Sequence, residues 1–297
     1  MKKLKLWCYL NIENPLVAWE VAIGRIASAE ALPSFQGKEK RWFLTQWQYS
    51  RLKNAFYNDP AKEVPLINEF RIESIRHQLY KDKVSRLRGC FFFKNKEDAI
   101  NIVNYYGWNG FNPNHLSEVE VYYKTDNDIS YYDSTWFTMK ASDIMATEDI
   151  KSYLANENYW GIHGHPATEV LVYGLGFILN KELIRKAYNI VKQTHPNSMC
   201  FVDSARIMLD LCKMTIDRGQ PNWELYEAGF ACSLNTYQNG NEHCEVIYIM
   251  RDEPFRKYGI LQNGYPNKIS TPDFKNLNYA YPKKDLLKVM NEYLLSV

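Results

Sequence analysis

The chain has 297 residues, 46% of them hydrophobic and 15% aromatic, enough for one large domain or two ordinary ones around a substantial core. Its 36 basic and 34 acidic side chains leave a net charge of +2, which excludes a global field that would attract nucleic acid. Only local basic clusters remain, Lys81, Lys83, Arg86 and Arg88 being the densest, and such a run is either a solvated face or a nucleic-acid contact.

The six cysteines, Cys8, Cys90, Cys200, Cys212, Cys232 and Cys244, form no CxxC pair and no zinc spacing. The basic start followed by an apolar stretch ends at Leu10, too short for a secretory core, and no apolar run reaches the roughly 18 residues that span a membrane. The expected location is a reducing cytoplasm.

Leu4 to Leu10 alternates and is rich in aromatics, which predicts a strand. Asn14 and Pro15 then open a helix with Val17, Val21 and Ile26 on its apolar side. Residues 33–40 read as a loop. Arg41 to Tyr57 reads as a helix, and Pro65 to Tyr80 as another. Gly89-Cys90-Phe91-Phe92-Phe93 is an apolar run of strand length. Asn95 caps the helix after it, with Glu97 and Asp98 in the first turn. Glu118 to Lys124 and Ile129 to Phe137 read as two strands of a hairpin across Asp126-Asn127-Asp128. Ser142 to Ala155 is helical. Residues 156–167 form a loop rich in Gly, His and aromatics, and Thr168 to Gly174 is a strand.

Residues 181–194 form a helix, Pro196-Asn197-Ser198 marks a boundary, and Val202 to Arg218 is an amphipathic helix. Gly229 to Tyr237 and Cys244 to Met250 pair across a turn containing Gly240, and Lys283 to Leu295 closes the chain as a helix. His243 and Cys244 beside that turn read as hairpin neighbours rather than a base and a nucleophile. GxGxxG, Walker, HExxH and GxSxG patterns are all absent, which counts against the enzyme classes that carry them.

The order of elements resembles the ADP-ribosyltransferase fold, and more narrowly the bacterial toxin and phage-defence members that modify nucleic acid. The likeness covers about residues 4–180. It rests on a first strand and helix over Trp7 to Gly24, on Ser85-Arg86 before the Gly89 to Phe93 strand, on the acidic helix start with Ala99, and on Thr168-Glu169-Val170-Leu171-Val172. It implies an α+β fold with a split β-sheet core, helical insertions and a small C-terminal α+β extension, organised as domains 1–195 and 196–297. It implies Glu169 as the catalytic residue of a mono-ADP-ribosyltransferase using NAD+. Cys8 stands where the family commonly has His or Arg, so Tyr9 or Asn11 is expected to meet NAD+ there. Arginine-modifying members carry a second Glu two positions before the catalytic one. Ala167 occupies that place, which favours a nucleobase, a ribose hydroxyl or another protein side chain as acceptor.

Breaking the nicotinamide–ribose bond creates a sugar cation that a nearby carboxylate stabilises. Glu169 is expected in that role, Arg86 on the pyrophosphate, Ser85 supporting the ribose or backbone, and Phe92, Tyr105 or Tyr106 as the aromatic wall for nicotinamide. Tyr159, Trp160, His163 and His165 lie in the loop expected to face the acceptor, DNA or RNA, where rings can stack on a base. No Cys or Asp lies close enough to complete a metal set with the histidines, so no metal is expected. A neutralising antitoxin protein is an expected partner. Two other readings stand beside this one: a catalytically silent binding protein on the same scaffold, and an NAD+ glycohydrolase.

Overall fold

The strands and helices follow in the order β1 (Lys2–Tyr9), α1 (Pro15–Ile23), β2 (Arg25–Ala27), β3 (Arg41–Phe43), α2 (Pro60–Leu79), β4 (Cys90–Phe93) and α3 (Lys96–Tyr106). They continue with β5 (Leu116–Tyr123), β6 (Ile129–Asp133), α4 (Thr135–Met139), α5 (Thr147–Leu154), β7 (Thr168–Val172), β8 (Leu175–Ile178), α6 (Lys181–Thr194), α7 (Met199–Asp217), β9 (Ala231–Gln238), β10 (Asn241–Tyr248) and β11 (Ala280–Pro282). The structure, a computed structural model, describes residues 1–28, 41–43, 60–106, 110–140, 142–159, 167–222, 225–226, 231–238, 241–248, 269–272 and 280–282.

The architecture is mixed α+β. Seven strands form one sheet in the order β2-β8-β5-β1-β4-β7-β6. β1 runs antiparallel to β5 from Lys2 opposite Tyr123 to Tyr9 opposite Leu116, and antiparallel to β4 with Trp7 opposite Phe93. β7 runs antiparallel to both β4 and β6. One compact unit comprises Met1–Tyr9, Ala27–Gly176 and Ala280–Val297, and the other Leu10–Ile26 and Phe177–Tyr279. Residues 177–195 thus share a unit with the segment that follows them and with α1.

Within the first unit one core cluster lies on one face of β4, β7 and β6, and Phe92, Val170 and Val172 are buried on the other. In that cluster Leu171 and Tyr132 meet Ile72 of α2, Trp136 and Phe137 of α4, and Ile150, Tyr153 and Leu154 of α5. Within the second unit α1 starts on the Asn14 cap, whose side chain accepts from the Leu16 amide. It ends at Gly24, which takes φ 103°, a left-handed value that glycine adopts at no steric cost. α1 packs against α6 and α7. Arg25 is fully buried there, donating to Glu20 and to the Tyr226 carbonyl.

Three expectations are corrected or extended. Arg41–Phe43, expected to open a helix running to Tyr57, form β3 instead and pair with β11, a partner more than two hundred residues away; residues 44–57 lie outside the described residues. The expected hairpin of β5 and β6 does not form. A capping box of Thr125 and Asp128 closes the turn between them, β5 spends its length on β1, and β6 pairs with β7 at the sheet edge. β6 also stops at Asp133, where the Asp133 carboxylate accepts from the Thr135 amide and α4 begins. β8 is a further strand, buried at every position, so it carries no alternation to read. β9 and β10 pair as expected, but Gln238 and Asn241 to His243, expected in the turn, are paired strand residues. The loop at 33–40 and the closing helix at 283–295 lie outside the described residues.

Gly174 shows how tightly β7 leaves the sheet. Its amide donates to Ser28 Oγ at 2.8 Å and its carbonyl accepts from the Ser28 amide at 3.0 Å. A Cβ there would sit 2.5 Å from the Tyr122 carbonyl oxygen, a backbone atom that cannot step aside. Gly174→Ala is expected to lower stability by about 1–3 kcal/mol, the usual cost of overpacking, read as a lower urea midpoint with an unchanged slope.

Candidate functional site

Glu169 stands opposite Phe93 on β4 and Tyr132 on β6. Side chains alternate along a strand, so Glu169 shares its face with Leu171, Phe91, Phe93, Ser130 and Tyr132, while Val170 and Phe92 point the other way. Trp7 continues the same row, opposite Phe93. Glu169 is buried, 8% exposed, under the helices that cover β4, β7 and β6.

The turn between α2 and β4 delivers a cation to this carboxylate. The Arg88 and Gly89 amides both donate to the Ser85 carbonyl, and the Leu87 amide donates to Ser85 Oγ. The Val84 amide donates to Ser130 Oγ, and the Ser85 amide to Tyr173 Oη. The turn is therefore tied to β6 and to the end of β7. Arg86 leaves it buried, caged by the rings of Phe137, Phe91 and Tyr153 at 4.7, 5.0 and 5.5 Å from the guanidinium carbon.

The guanidinium bridges two carboxylates. Nε donates to Glu69 Oε2 at 2.7 Å and Nη2 to Glu69 Oε1 at 3.0 Å, a bidentate clamp. Nη1 donates to Tyr153 Oη at 2.7 Å and to Glu169 Oε1. Tyr153 Oη in turn donates to Glu169 Oε1 at 2.5 Å. Both bonds to Glu169 fall on Oε1. Oε2 takes no hydrogen bond from a described residue and is not a sealed-off orphan, and the side chain keeps 10% exposure. It is the carboxylate oxygen that no described group occupies.

α2 supplies more than Glu69. Glu69, Glu73 and Arg76 are spaced four and three apart, one face of a helix. Arg76 clamps Glu73 at 2.9 and 2.8 Å and donates to the Lys83 carbonyl at 2.9 Å. Ser85 Oγ donates to Glu73 Oε2 at 2.7 Å. The whole 83–86 segment is thereby held by charged groups of one helix.

Burial raises the Glu169 pKa above its ordinary value, with Arg86 and the Tyr153 hydrogen bond pulling it back and Glu69 adding to the rise. Burial opposes the charge on Arg86, yet Glu169 and Glu69 more than offset this and hold its pKa well above the usual value. Burial keeps the Tyr153 hydroxyl protonated far into base, so it acts as a donor. The Cys8 thiol is pushed up to about 12 by burial and stays neutral, so it supplies no positive charge at the position where the resemblance looks for His or Arg.

The expected site residues separate. Glu169, Arg86 and Ser85 come together. Arg86 faces carboxylates here, where the resemblance implies a pyrophosphate, and it leaves the basic cluster with Lys81, Lys83 and Arg88 without a common surface. Phe92 is 2% exposed on the face away from Glu169, so Phe93 is the ring that stands beside the carboxylate. Tyr9 stacks on Phe111 with centroids 4.9 Å apart, donates to the Gly110 carbonyl and accepts from the Asn112 amide. Asn11 belongs to the second unit, where it accepts from the Glu13 amide. Tyr159 meets Trp136 edge-on at 4.9 Å, and its amide donates to Asp133. Trp160, His163, His165 and the side chains of Tyr105 and Tyr106 lie outside the described residues. Among the described residues no group of three His, Cys, Asp or Glu is placed to hold a metal ion, and no helix is long and apolar enough to cross a membrane.

Glu69, Tyr153 and Phe93 are the members that sequence reasoning missed. No local signal singled out Phe93, because the register of β4 against β7 decides whether Phe92 or Phe93 shares the face of Glu169. The spacing of Glu69, Glu73 and Arg76 was a weak signal. No protein-family model matches the chain, and no curated protein matches its sequence.

The raised pKa of Glu169 has a thermodynamic consequence. A group whose folded pKa lies above its unfolded value contributes stability that is complete below the unfolded pKa and lost as pH rises through the folded one. Wild type is therefore expected to lose stability relative to Glu169→Gln as pH climbs from below the ordinary glutamate range through the raised value, measured as the difference in urea midpoints. Arg86→Met strands two buried carboxylates and is expected to cost about 3–5 kcal/mol.

Proposed function

We propose that the chain transfers ADP-ribose from NAD+ to a macromolecular acceptor, with Glu169 steadying the ribosyl cation as nicotinamide departs. One observation carries this reading: Glu169 is held by Arg86 and Tyr153 through Oε1 alone, which leaves Oε2 open beside a row of aromatic rings. A carboxylate fixed in advance stabilises developing positive charge without reorganising, and burial strengthens that attraction. Arg86 serves here to position Glu169 rather than to bind pyrophosphate. Phe93 and Trp7, both half-buried on the carboxylate's face, are the rings suited to a planar heterocycle.

Ala167 in place of a second acid favours a nucleic acid over an arginine side chain as acceptor. The reading places the protein among toxins of bacterial defence or toxin–antitoxin systems, with a neutralising antitoxin protein as partner. A second reading, a silent binding protein on the same scaffold, draws on the neutral Cys8 and on the occupation of Glu169 Oε1 by Arg86.

Incubation of the chain with labelled NAD+ and mixed DNA, RNA and protein tests this. Label is expected in a macromolecular fraction, and Glu169→Gln is expected to reduce it by about 10²–10³-fold, the loss typical of one charge-stabilising group. Free ADP-ribose as the sole product identifies a glycohydrolase. No nicotinamide release at all rejects the enzyme in favour of the binding protein.

A further inference from the structure

We infer that Glu69 of α2 is a positioning residue for Glu169, acting through the guanidinium of Arg86. The inference rests on the reading of Glu169 as the catalytic carboxylate. Glu69 grips Arg86 on Nε and Nη2 at 2.7 and 3.0 Å, which fixes the plane and rotation of the guanidinium. Nη1 is the nitrogen that turns toward Glu169 and Tyr153. A single-point contact from Arg86 to Glu169 would otherwise let the fork swivel. The bidentate contact on the far side turns Arg86 into a rigid strut between α2 and β7.

Packing alone does not account for this arrangement. Apolar side chains of similar volume commonly replace a buried ion pair at equal or better stability. Here α2 commits two acids and an arginine, all buried, to one turn, and that turn carries the residue in contact with Glu169. Buried charged groups arranged around one carboxylate are typical of sites where protonation is tuned.

Glu69 also acts on Glu169 by charge. The groups facing Glu169 are Arg86 from the turn, Glu69 from α2, Tyr153 from α5 and Tyr132 from β6; Phe93 on β4 is uncharged. Glu73 and Arg76 bind each other one turn further along α2. Of the facing groups Glu69 carries the like charge, so it makes ionisation of Glu169 harder while holding the cation that makes it easier. Replacing Glu69 by Gln keeps a hydrogen-bond acceptor for Arg86 and removes the anion. Glu169 should then ionise more readily.

The test is the pH dependence of nicotinamide release in Glu69→Gln against wild type. The acid limb of the profile is expected to move to lower pH in the variant. A limb at the wild-type position shows that the Glu69 charge has no net effect on Glu169. Positioning is decided by Glu69→Asp. It retains the anion but shortens the clamp, so kcat is expected to fall with KM for NAD+ unchanged, and a wild-type kcat overturns the inference. If wild type releases no nicotinamide, the catalytic reading fails by itself. The coupling is then read directly by ¹³C-carboxyl NMR, with the Glu169 signal assigned by its loss in Glu169→Gln. A titration displaced to lower pH in Glu69→Gln supports that coupling, and an unmoved titration overturns it.

Discussion

Arg86 is a fully engaged cation inside an aromatic cage, and the first unit is organised around it. The guanidinium cannot shed its charge, so each face must meet an anion or a ring. Glu69 and Glu169 take the donor edges, while Phe91, Phe137 and Tyr153 take the flat faces. α2 and the turn that follows it are thereby held in one relation to the head of β7, more than eighty residues further along the chain. The same contact that satisfies the cation leaves one carboxylate oxygen of Glu169 available.

Strand parity determines what that oxygen can meet. With Glu169 on one face of β7, its neighbours across the sheet must be Phe93 and Trp7 in one direction and Tyr132 in the other. Tyr132 is sealed in the core, stacked on Tyr153 at 4.6 Å. Phe93 and Trp7 are only half-buried, so the accessible aromatic surface lies toward β4 and β1. Lys96 sits over the Trp7 ring at 5.5 Å and brings a cation to that side.

The polar spine of α2 makes the site expensive to build. Glu69, Glu73 and Arg76 all give up water, and their mutual bonds return that cost only if the geometry is good. Their bonds of 2.7–3.0 Å meet that condition. What such a network adds over an apolar core is a fixed orientation for Arg86, and through it for the Glu169 carboxylate.

Much was legible in the chain itself. Alternation in Leu4 to Leu10, the Asn14-Pro15 helix start and the Asn95 cap are local signals, and these elements formed where their own residues called for them. Ser85, Arg86 and Glu169 were also legible as chemically capable side chains. Their mutual contact was not, because eighty-three residues separate Arg86 from Glu169 and only the pairing of β4 with β7 closes that distance. The same reason explains why β6 joined β7 instead of β5, and why Phe93 rather than Phe92 stands beside the carboxylate. Register decides which face a side chain takes, and register belongs to the partner strand, not to the strand's own sequence.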